Sequence, residues 1–159
     1  MKFPFFCSPS DHSPAFPKRK ALYRPVIPIH MYSLNLRYKV HHYALLDTGA
    51  DYNLFHADYL NYLNGNYLEE GKRQDILGIE GKGVETYFHD VVIEIGPWRY
   101  KAYTGFTNYG MVRSSDQMSY GILGQVGFFE HFKVSFDYKK LEIEVKPQNN
   151  IKMTKYSKQ

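Results

Sequence analysis

The sequence has little cysteine: of its 159 residues only Cys7 carries a thiol. One cysteine excludes a disulfide within the chain and a cysteine-based zinc site. It is compatible with a reducing compartment, and we predict a cytoplasmic location. Long apolar runs are also missing, since none approaches the roughly 18 residues of a membrane helix. The stretch Met1–Phe6 is interrupted by Lys2 and Pro4, so it is too short for a secretory signal.

A strong charge of one sign and a metal-ligand spacing are also absent. Lys and Arg number 20 against 16 Asp and Glu, a formal charge of +4 that does not by itself indicate nucleic acid. The seven histidines form no His-Glu-x-x-His pattern, so neither a metal nor another cofactor is predicted. Lys and Arg are scattered rather than clustered between the aromatic residues, so a nucleic-acid surface is only an alternative.

The length supports one domain between two polar ends. Residues 1–20 contain four prolines and end in Lys18-Arg19-Lys20, which predicts a flexible basic arm that folding does not need. Residues 148–159 are predicted to form a polar C-terminal tail. The domain is therefore expected over residues 21–147.

Aromatic and β-branched residues fill the space between these ends, and they alternate with polar residues. This alternation is typical of strands, so the predicted fold class is all-β with one or two short helices. The best helix candidate runs from His56 to Leu63 and is followed by Asn64-Gly65 as a stop. A second helical piece is predicted over residues 125–132. The expected strands are 26–40 (a bent hairpin with Pro28 at an edge), 43–46, 76–79, 84–95, 98–104, 121–124, 134–136 and 141–145.

The string Asp47-Thr48-Gly49 follows the apolar residues 44–46, so an acid leaves a buried strand and is followed at once by a hydroxyl and a glycine. Thr48 can orient the loop by hydrogen bonding, and Gly49 lets backbone and substrate come close. Asp, Thr and Gly are also common turn residues, so this tripeptide alone fits a catalytic loop and an ordinary turn about equally well.

Two later segments favour catalysis. Residues 78–83 form a glycine-rich stretch between two strand patterns, which suits a mobile hairpin lid, or flap. We expect its tip, Ile79 to Lys82, to be reachable by substrate. Residues Gly121-Ile122-Leu123-Gly124 form an apolar pair between glycines.

In this order the three motifs resemble the retropepsin family of retroviral and retroviral-like aspartic proteases, and especially its single-domain bacterial and archaeal members. The resemblance covers residues 26–145. It implies a closed β-barrel-like fold, a homodimer with one Asp47 from each protomer, and an aspartic endopeptidase acting on a peptide or protein without metal or cofactor. It implies these site residues: catalytic Asp47, Thr48 and Gly49; substrate-binding Ala50, Asp51, Gly78, Ile79, Glu80, Gly81, Ile122 and Leu123; structural Gly124.

The chain departs from the retroviral pattern in three places. Gln125 stands where those proteases have an arginine that pairs with the residue equivalent to Asp51. We therefore expect Asp51 to accept a hydrogen bond from the Gln125 amide or from substrate backbone. Glu80 and Lys82 place charges at the flap tip, and the segment with the His56 helix is an insertion. A dimeric module on the same fold that binds peptide or nucleic acid without cleaving it is the alternative function.

Overall fold

In the computed structural model, residues 1–10, 14–63, 68–77, 83–108, 112–113, 119–148 and 154–155 are described. They contain one α-helix, α1 (Asp58–Tyr62), and a 3-10 turn at Leu68–Glu70. Everything else that is regular is strand. The strands in chain order are β1 (Lys2–Pro4), β2 (Phe6–Pro9), β3 (Ala21–Arg24), β4 (Val26–Tyr32), β5 (Lys39–Leu46), β6 (Leu54–His56), β7 (Lys72–Leu77), β8 (Gly83–Ile95), β9 (Trp98–Thr107), β10 (Val112–Arg113), β11 (Ser119–Leu123), β12 (Phe132–Asp137), β13 (Glu142–Pro147) and β14 (Thr154–Lys155).

Six of these strands close into a ring. Its order is β9, β6, β11, β5, β4, β8 and back to β9, with each neighbouring pair joined by hydrogen bonds. The pairs β5–β11 and β6–β9 are parallel, and the other four are antiparallel. Strands β7, β10 and β14 attach to the outside of this path. The prediction of an all-β, closed barrel-like fold is confirmed.

The core of the ring follows directly from side-chain alternation. Along β8, the side chains of Val91, Ile93 and Ile95 are 2%, 0% and 0% exposed, whereas Val92 and Glu94 between them are only half-buried. Successive side chains of a strand point to opposite faces, so every second residue reaches the interior. The predicted strands over residues 84–95 and 98–104 are confirmed as β8 and β9.

The predicted helix is present but shorter than expected. Helix α1 covers Asp58–Tyr62, and His56 belongs to β6, where it pairs with Thr107. Ala57 occupies the N-cap position and makes no side-chain capping bond, but the Asp58 N–H donates to Nδ1 of His56 at 3.3 Å. Leu60 anchors the helix with a side chain that is 1% exposed. The stop predicted at Asn64-Gly65 lies outside the described residues, and residues 125–131 form turns rather than a helix.

The prediction of a flexible N-terminal arm is wrong for residues 1–9. Strand β1 pairs with β13, which in turn pairs with β12, and β2 pairs with β3. Phe5 lies between β1 and β2 and belongs to the hydrophobic core, with 9% of its surface exposed. Ser8 is fully buried and accepts a hydrogen bond from Arg24. Strand β1 lies at the edge of its sheet, where the missing N–H of Pro4 does not interrupt a ladder on a second side.

The C-terminal tail also pairs in part, since β14 lies antiparallel to β9 through Thr154↔Arg99 and Lys155↔Trp98. The closing hairpin predicted around residues 137–140 is present as β12 and β13. Its turn is held by a hydrogen bond from the Lys140 N–H to Asp137 Oδ1. In the described part of the chain no helix is long and apolar enough to cross a membrane.

Truncating Phe5 should destabilise the fold strongly. Because its ring is buried, we expect Phe5→Ala to cost about 3 kcal/mol of unfolding free energy through lost burial and a residual cavity. Phe16→Ala is the matched control, since Phe16 is 61% exposed in the same N-terminal segment and its truncation should cost under about 0.5 kcal/mol. Urea unfolding of both variants checks this. Equal and small effects in both variants would instead support the prediction that folding does not need residues 1–20.

The buried histidine of β5 should make stability depend on pH. Burial, with a smaller contribution from the charge of His41, lowers the pKa of His42 from 6.5 to about 4. Between these values the unfolded chain binds more protons than the folded one, so stability falls as pH drops from 6.5 towards 4. We expect a loss on the order of 2 kcal/mol from this group after allowing for partial solvent screening. In His42→Gln that part of the slope should disappear, as measured by urea unfolding at several pH values. Identical slopes in both proteins would contradict it.

Candidate active site

Asp47 lies directly after the last residue of β5, and the backbone holds it from two sides. The Leu46 N–H donates to the carbonyl of Pro25 at 2.9 Å. The Asp47 N–H donates to the carbonyl of Leu123 at 3.1 Å. Leu46 is buried, whereas the Asp47 side chain is half-buried and Thr48 and Gly49 are exposed. The end of β5 therefore holds the Asp47 carboxyl group at a fixed position where the chain leaves the core for the surface.

The turn after Asp47 fixes one of its carboxylate oxygens. The Gly49 N–H donates to Asp47 Oδ1 at 2.9 Å, and the Ala50 N–H donates to the Asp47 carbonyl at 3.2 Å. A Cβ at Gly49 would lie 3.2 Å from Oδ1, so glycine lets the amide approach without crowding the carboxylate. Among the described residues Oδ2 has no hydrogen-bond partner. The side chain thus has one anchored oxygen and one available to a further group.

The apolar segment of residues 121–124 lies directly beside β5. Strand β11 runs parallel to β5 with Ile122 opposite Leu45 and Leu123 opposite Leu46, and on its other side Ile122 pairs with Leu54 of β6. Leu123 is 0% exposed, and Ile122 is half-buried. The predicted substrate contact of Leu123 does not agree with this burial, because its side chain is enclosed in the core. Leu123 acts through its backbone carbonyl instead.

Gly124 is packed so closely against the Asp47 loop that no side chain fits. A Cβ there would lie 2.4 Å from the carbonyl oxygen of Tyr52 and 2.7 Å from that of Ala50. Both are backbone atoms that cannot rotate away, so the structural role predicted for Gly124 has a steric basis. The Gly124 N–H donates to Asn53 Oδ1 at 3.0 Å.

Gln125 binds the loop in a different way from the one expected. Its side-chain amide donates to the carbonyl of Thr48 at 3.0 Å and does not reach the Asp51 carboxylate. Its own N–H donates to the carbonyl of Ala50, and the next N–H, that of Val126, donates to the carbonyl of Asp51. Three neutral hydrogen bonds therefore join residues 125–126 to residues 48–51. The exposed side chain of Asp51 remains available to a ligand.

Asn53 is a residue of this site that the sequence did not reveal. It is 0% exposed, its backbone carbonyl accepts from the Gly105 N–H at 2.9 Å, and its Oδ1 accepts from Gly124. An asparagine six residues after Asp47 has no local pattern that marks it as buried, and its partners are more than 50 positions away in the chain. Its Nδ2 is buried without a hydrogen-bond partner among the described residues.

The predicted flap is described only at its base. Strands β7 and β8 form an antiparallel hairpin up to the pair Leu77↔Gly83. Four residues predicted to bind substrate, Gly78, Ile79, Glu80 and Gly81, lie outside the described residues, together with Lys82. The base of the hairpin contacts the Asp47 loop through Tyr52, whose ring packs 5.3 Å from that of Phe88 and whose hydroxyl accepts from Gln74.

Metal-ligating side chains do not gather anywhere in the described residues, where no group of three or more His, Cys, Asp or Glu could hold an ion. The chemistry available at Asp47 is therefore that of a carboxylate with an anchored backbone and an accessible oxygen.

No family model and no curated protein matches the chain. Among solved structures, the chain is similar to EIAV protease complexed with the inhibitor HBY-793, with 25% sequence identity and a TM-score of 0.44. The match covers 64% of this chain and 82% of the EIAV protease chain.

Adding one methyl group at Gly124 should disrupt the packing of this residue against the Asp47 loop. We expect Gly124→Ala to cost about 2 kcal/mol or more, because the new Cβ would overlap backbone oxygens of the loop. Gly83→Ala is the matched control, since among the described residues its Cβ would meet only Asp75 Cβ, at an ordinary 3.6 Å, and its effect should stay under about 1 kcal/mol. Thermal unfolding of both variants measures the difference. A Gly124→Ala protein as stable as wild type would mean that the loop tolerates displacement.

Proposed function

We propose that the chain is one protomer of a homodimeric aspartic endopeptidase, with Asp47 as its catalytic acid. The observation that carries the proposal is the clamp on the Asp47 loop: the backbone of Leu123, Gly124 and Gln125 is bonded to or packed against residues 47–52 on one side. An ordinary surface turn does not need such support. A catalytic acid does, because its position relative to the reacting atoms sets the rate. Two further expectations from the sequence stay predictions: the likeness to bacterial and archaeal members of the retropepsin family, and the cytoplasmic location.

Dimerisation follows from the need for two carboxyl groups. Aspartic proteases use a pair of acids that share one proton, since two negative charges at this distance repel each other. The string Asp-Thr-Gly occurs once in the chain, so the second acid has to come from a second copy. In a closed two-fold dimer the two Asp47 side chains face each other across the axis. The available Oδ2 and the exposed Thr48 and Gly49 suit such a contact.

The reaction is the hydrolysis of a peptide bond by a water held between the two carboxyl groups. The ionised Asp47 takes a proton from the water as its oxygen adds to the scissile carbonyl carbon, while the protonated Asp47 donates to the carbonyl oxygen. The resulting tetrahedral diol collapses as the C–N bond breaks: the ionised carboxylate takes a proton from one diol hydroxyl while the C=O bond re-forms, and the protonated carboxyl group donates its proton to the leaving amine. Protons are only moved between these groups, so neither a metal nor an organic cofactor is needed.

The substrate is placed as an extended strand between the catalytic loop and the flap, bonded mainly through its backbone. Ala50, Asp51 and Ile122 are the described residues proposed to contact it, and each has an exposed or half-buried side chain. Gly78, Ile79, Glu80 and Gly81 are proposed to cover it from the flap. Side-chain pockets along this path then set the sequence preference.

Replacing the catalytic acid should abolish cleavage and leave the protein folded. Asp47→Asn is nearly isosteric and removes one member of the proton-sharing pair, so we expect at least a thousandfold loss of turnover on a peptide library, about the loss of an essential acid–base group. Asp58→Asn is the matched control, because Asp58 lies at the start of α1 with its side chain 71% exposed. It should keep wild-type activity.

The dimer provides a second test. Specific activity should fall when the protein is diluted below its dissociation constant, and Asp47→Asn should inhibit wild type after subunit exchange, since each mixed dimer has half a dyad. Wild-type turnover by Asp47→Asn, or activity that is independent of dilution in a monomer, would end the proposal. A dimer with the two Asp47 side chains far apart would favour the non-cleaving binding module.

A further inference from the structure

A single peptide group connects Asn53 to Asp47. The carbonyl of Leu123, which accepts from the Asp47 N–H at 3.1 Å, and the N–H of Gly124, which donates to Asn53 Oδ1 at 3.0 Å, belong to the same peptide bond. A peptide group is planar, so its carbonyl and its N–H turn together. The direction of the Leu123 carbonyl is therefore fixed by the acceptor of the Gly124 N–H, which is Asn53 Oδ1.

Asn53 itself has little freedom to move. Its side chain is fully buried, and its backbone carbonyl is held by the Gly105 N–H of β9. Gly127, whose φ of +96° favours glycine, leaves the room that the amide occupies: a Cβ there would lie 2.6 Å from Asn53 Nδ2. The amide is thus enclosed between β9 and the turn that follows Gly124.

We propose that Asn53 is a positioning residue that sets the location of the Asp47 carboxyl through the Leu123–Gly124 peptide group. Its acceptor oxygen orients that group and, because hydrogen bonds in a chain polarise one another, strengthens the bond to the Asp47 N–H. Asn53 does not touch substrate. This inference rests on the proposed function. It identifies Asn53 as the residue that positions the Asp47 carboxyl group within one protomer, before the second protomer contributes its own Asp47.

Two-fold symmetry amplifies the effect. Any shift of Asp47 in one protomer is repeated in the other, so the distance between the two carboxyl groups changes by up to twice the shift. That distance controls how strongly the loss of the first proton opposes the loss of the second. Loosening Asn53 should therefore alter the proton sharing of the dyad as well as the rate.

The test compares Asn53→Leu, which keeps the approximate size and removes the acceptor, with Asn53→Asp, which keeps an acceptor oxygen. We expect the Asp47 amide of Asn53→Leu to exchange its hydrogen at least tenfold faster relative to the amide of Ile93 in the core. We also expect kcat to fall about tenfold or more at a KM within twofold of wild type, since misplacement affects the transition state. The shape of the pH–rate profile should also change relative to wild type. Asn53→Asp should recover part of each effect.

Ile143→Ala serves as the control for a general loss of stability, because Ile143 is 0% exposed in β13, where its strand partners are Phe3 and Phe136. It should lower the melting temperature without changing Asp47 exchange relative to Ile93 or the pH profile. If Asn53→Leu does not fold, Asn53→Ser, whose shorter hydroxyl cannot span the same distance, carries the comparison.

Two results would overturn the inference: wild-type Asp47 exchange in folded Asn53→Leu or Asn53→Ser, or a changed pH profile in Ile143→Ala equal to theirs. Hydrogen exchange does not depend on turnover. Faster Asp47 exchange in a chain whose wild type cleaves no peptide would therefore support the link from Asn53 while removing the proposed function.

Discussion

The parallel pairing of β11 with β5 is the contact on which the remainder of this structure depends. It closes the ring of strands, and it also places the carbonyl of Leu123 where the Asp47 N–H needs an acceptor. Parallel neighbours cannot be joined by a tight turn, so the intervening chain has to leave the pair and return, which it does by building β6 to β10. The same three residue pairs therefore support both the closed ring of strands and the position of the Asp47 loop.

The glycines that frame β11 are explained by this pairing. A Cβ at Gly121 would lie 2.1 Å from the ring of Phe55, and a Cβ at Gly124 would meet the backbone of the Asp47 loop. Gly121 therefore lets the ring of Phe55 pack against β11, and Gly124 lets the Asp47 loop pack against the end of the same strand. The two apolar residues between them have separate tasks: Leu123 fills the core and Ile122 pairs on both sides.

Structural features that depend on a local sequence pattern could be predicted, whereas features that depend on partners distant in the chain could not. Strands β8 and β9 could be predicted because alternation reports burial of one face, and Asp47-Thr48-Gly49 could be found because its residues are consecutive. The prediction of a flexible arm is wrong for residues 1–9, because proline does not prevent pairing in an edge strand such as β1. The sequence left two expected donors for Asp51, the Gln125 amide and substrate backbone, and the Gln125 amide reaches the Thr48 carbonyl instead. Asn53 has partners in β9 and after β11 that no local window contains.

The pH dependence of the fold and the chemistry of the site meet in β5. His42 and Asp47 are on the same strand and its end, and burial together with Tyr59, whose hydroxyl lies 2.9 Å from Nδ1, keeps His42 in a closed environment. Burial lowers the pKa of His42 to about 4, so its protonation puts a charge into the core. Acid therefore weakens the strand that positions Asp47, and it does so independently of the carboxyl group at the end of that strand.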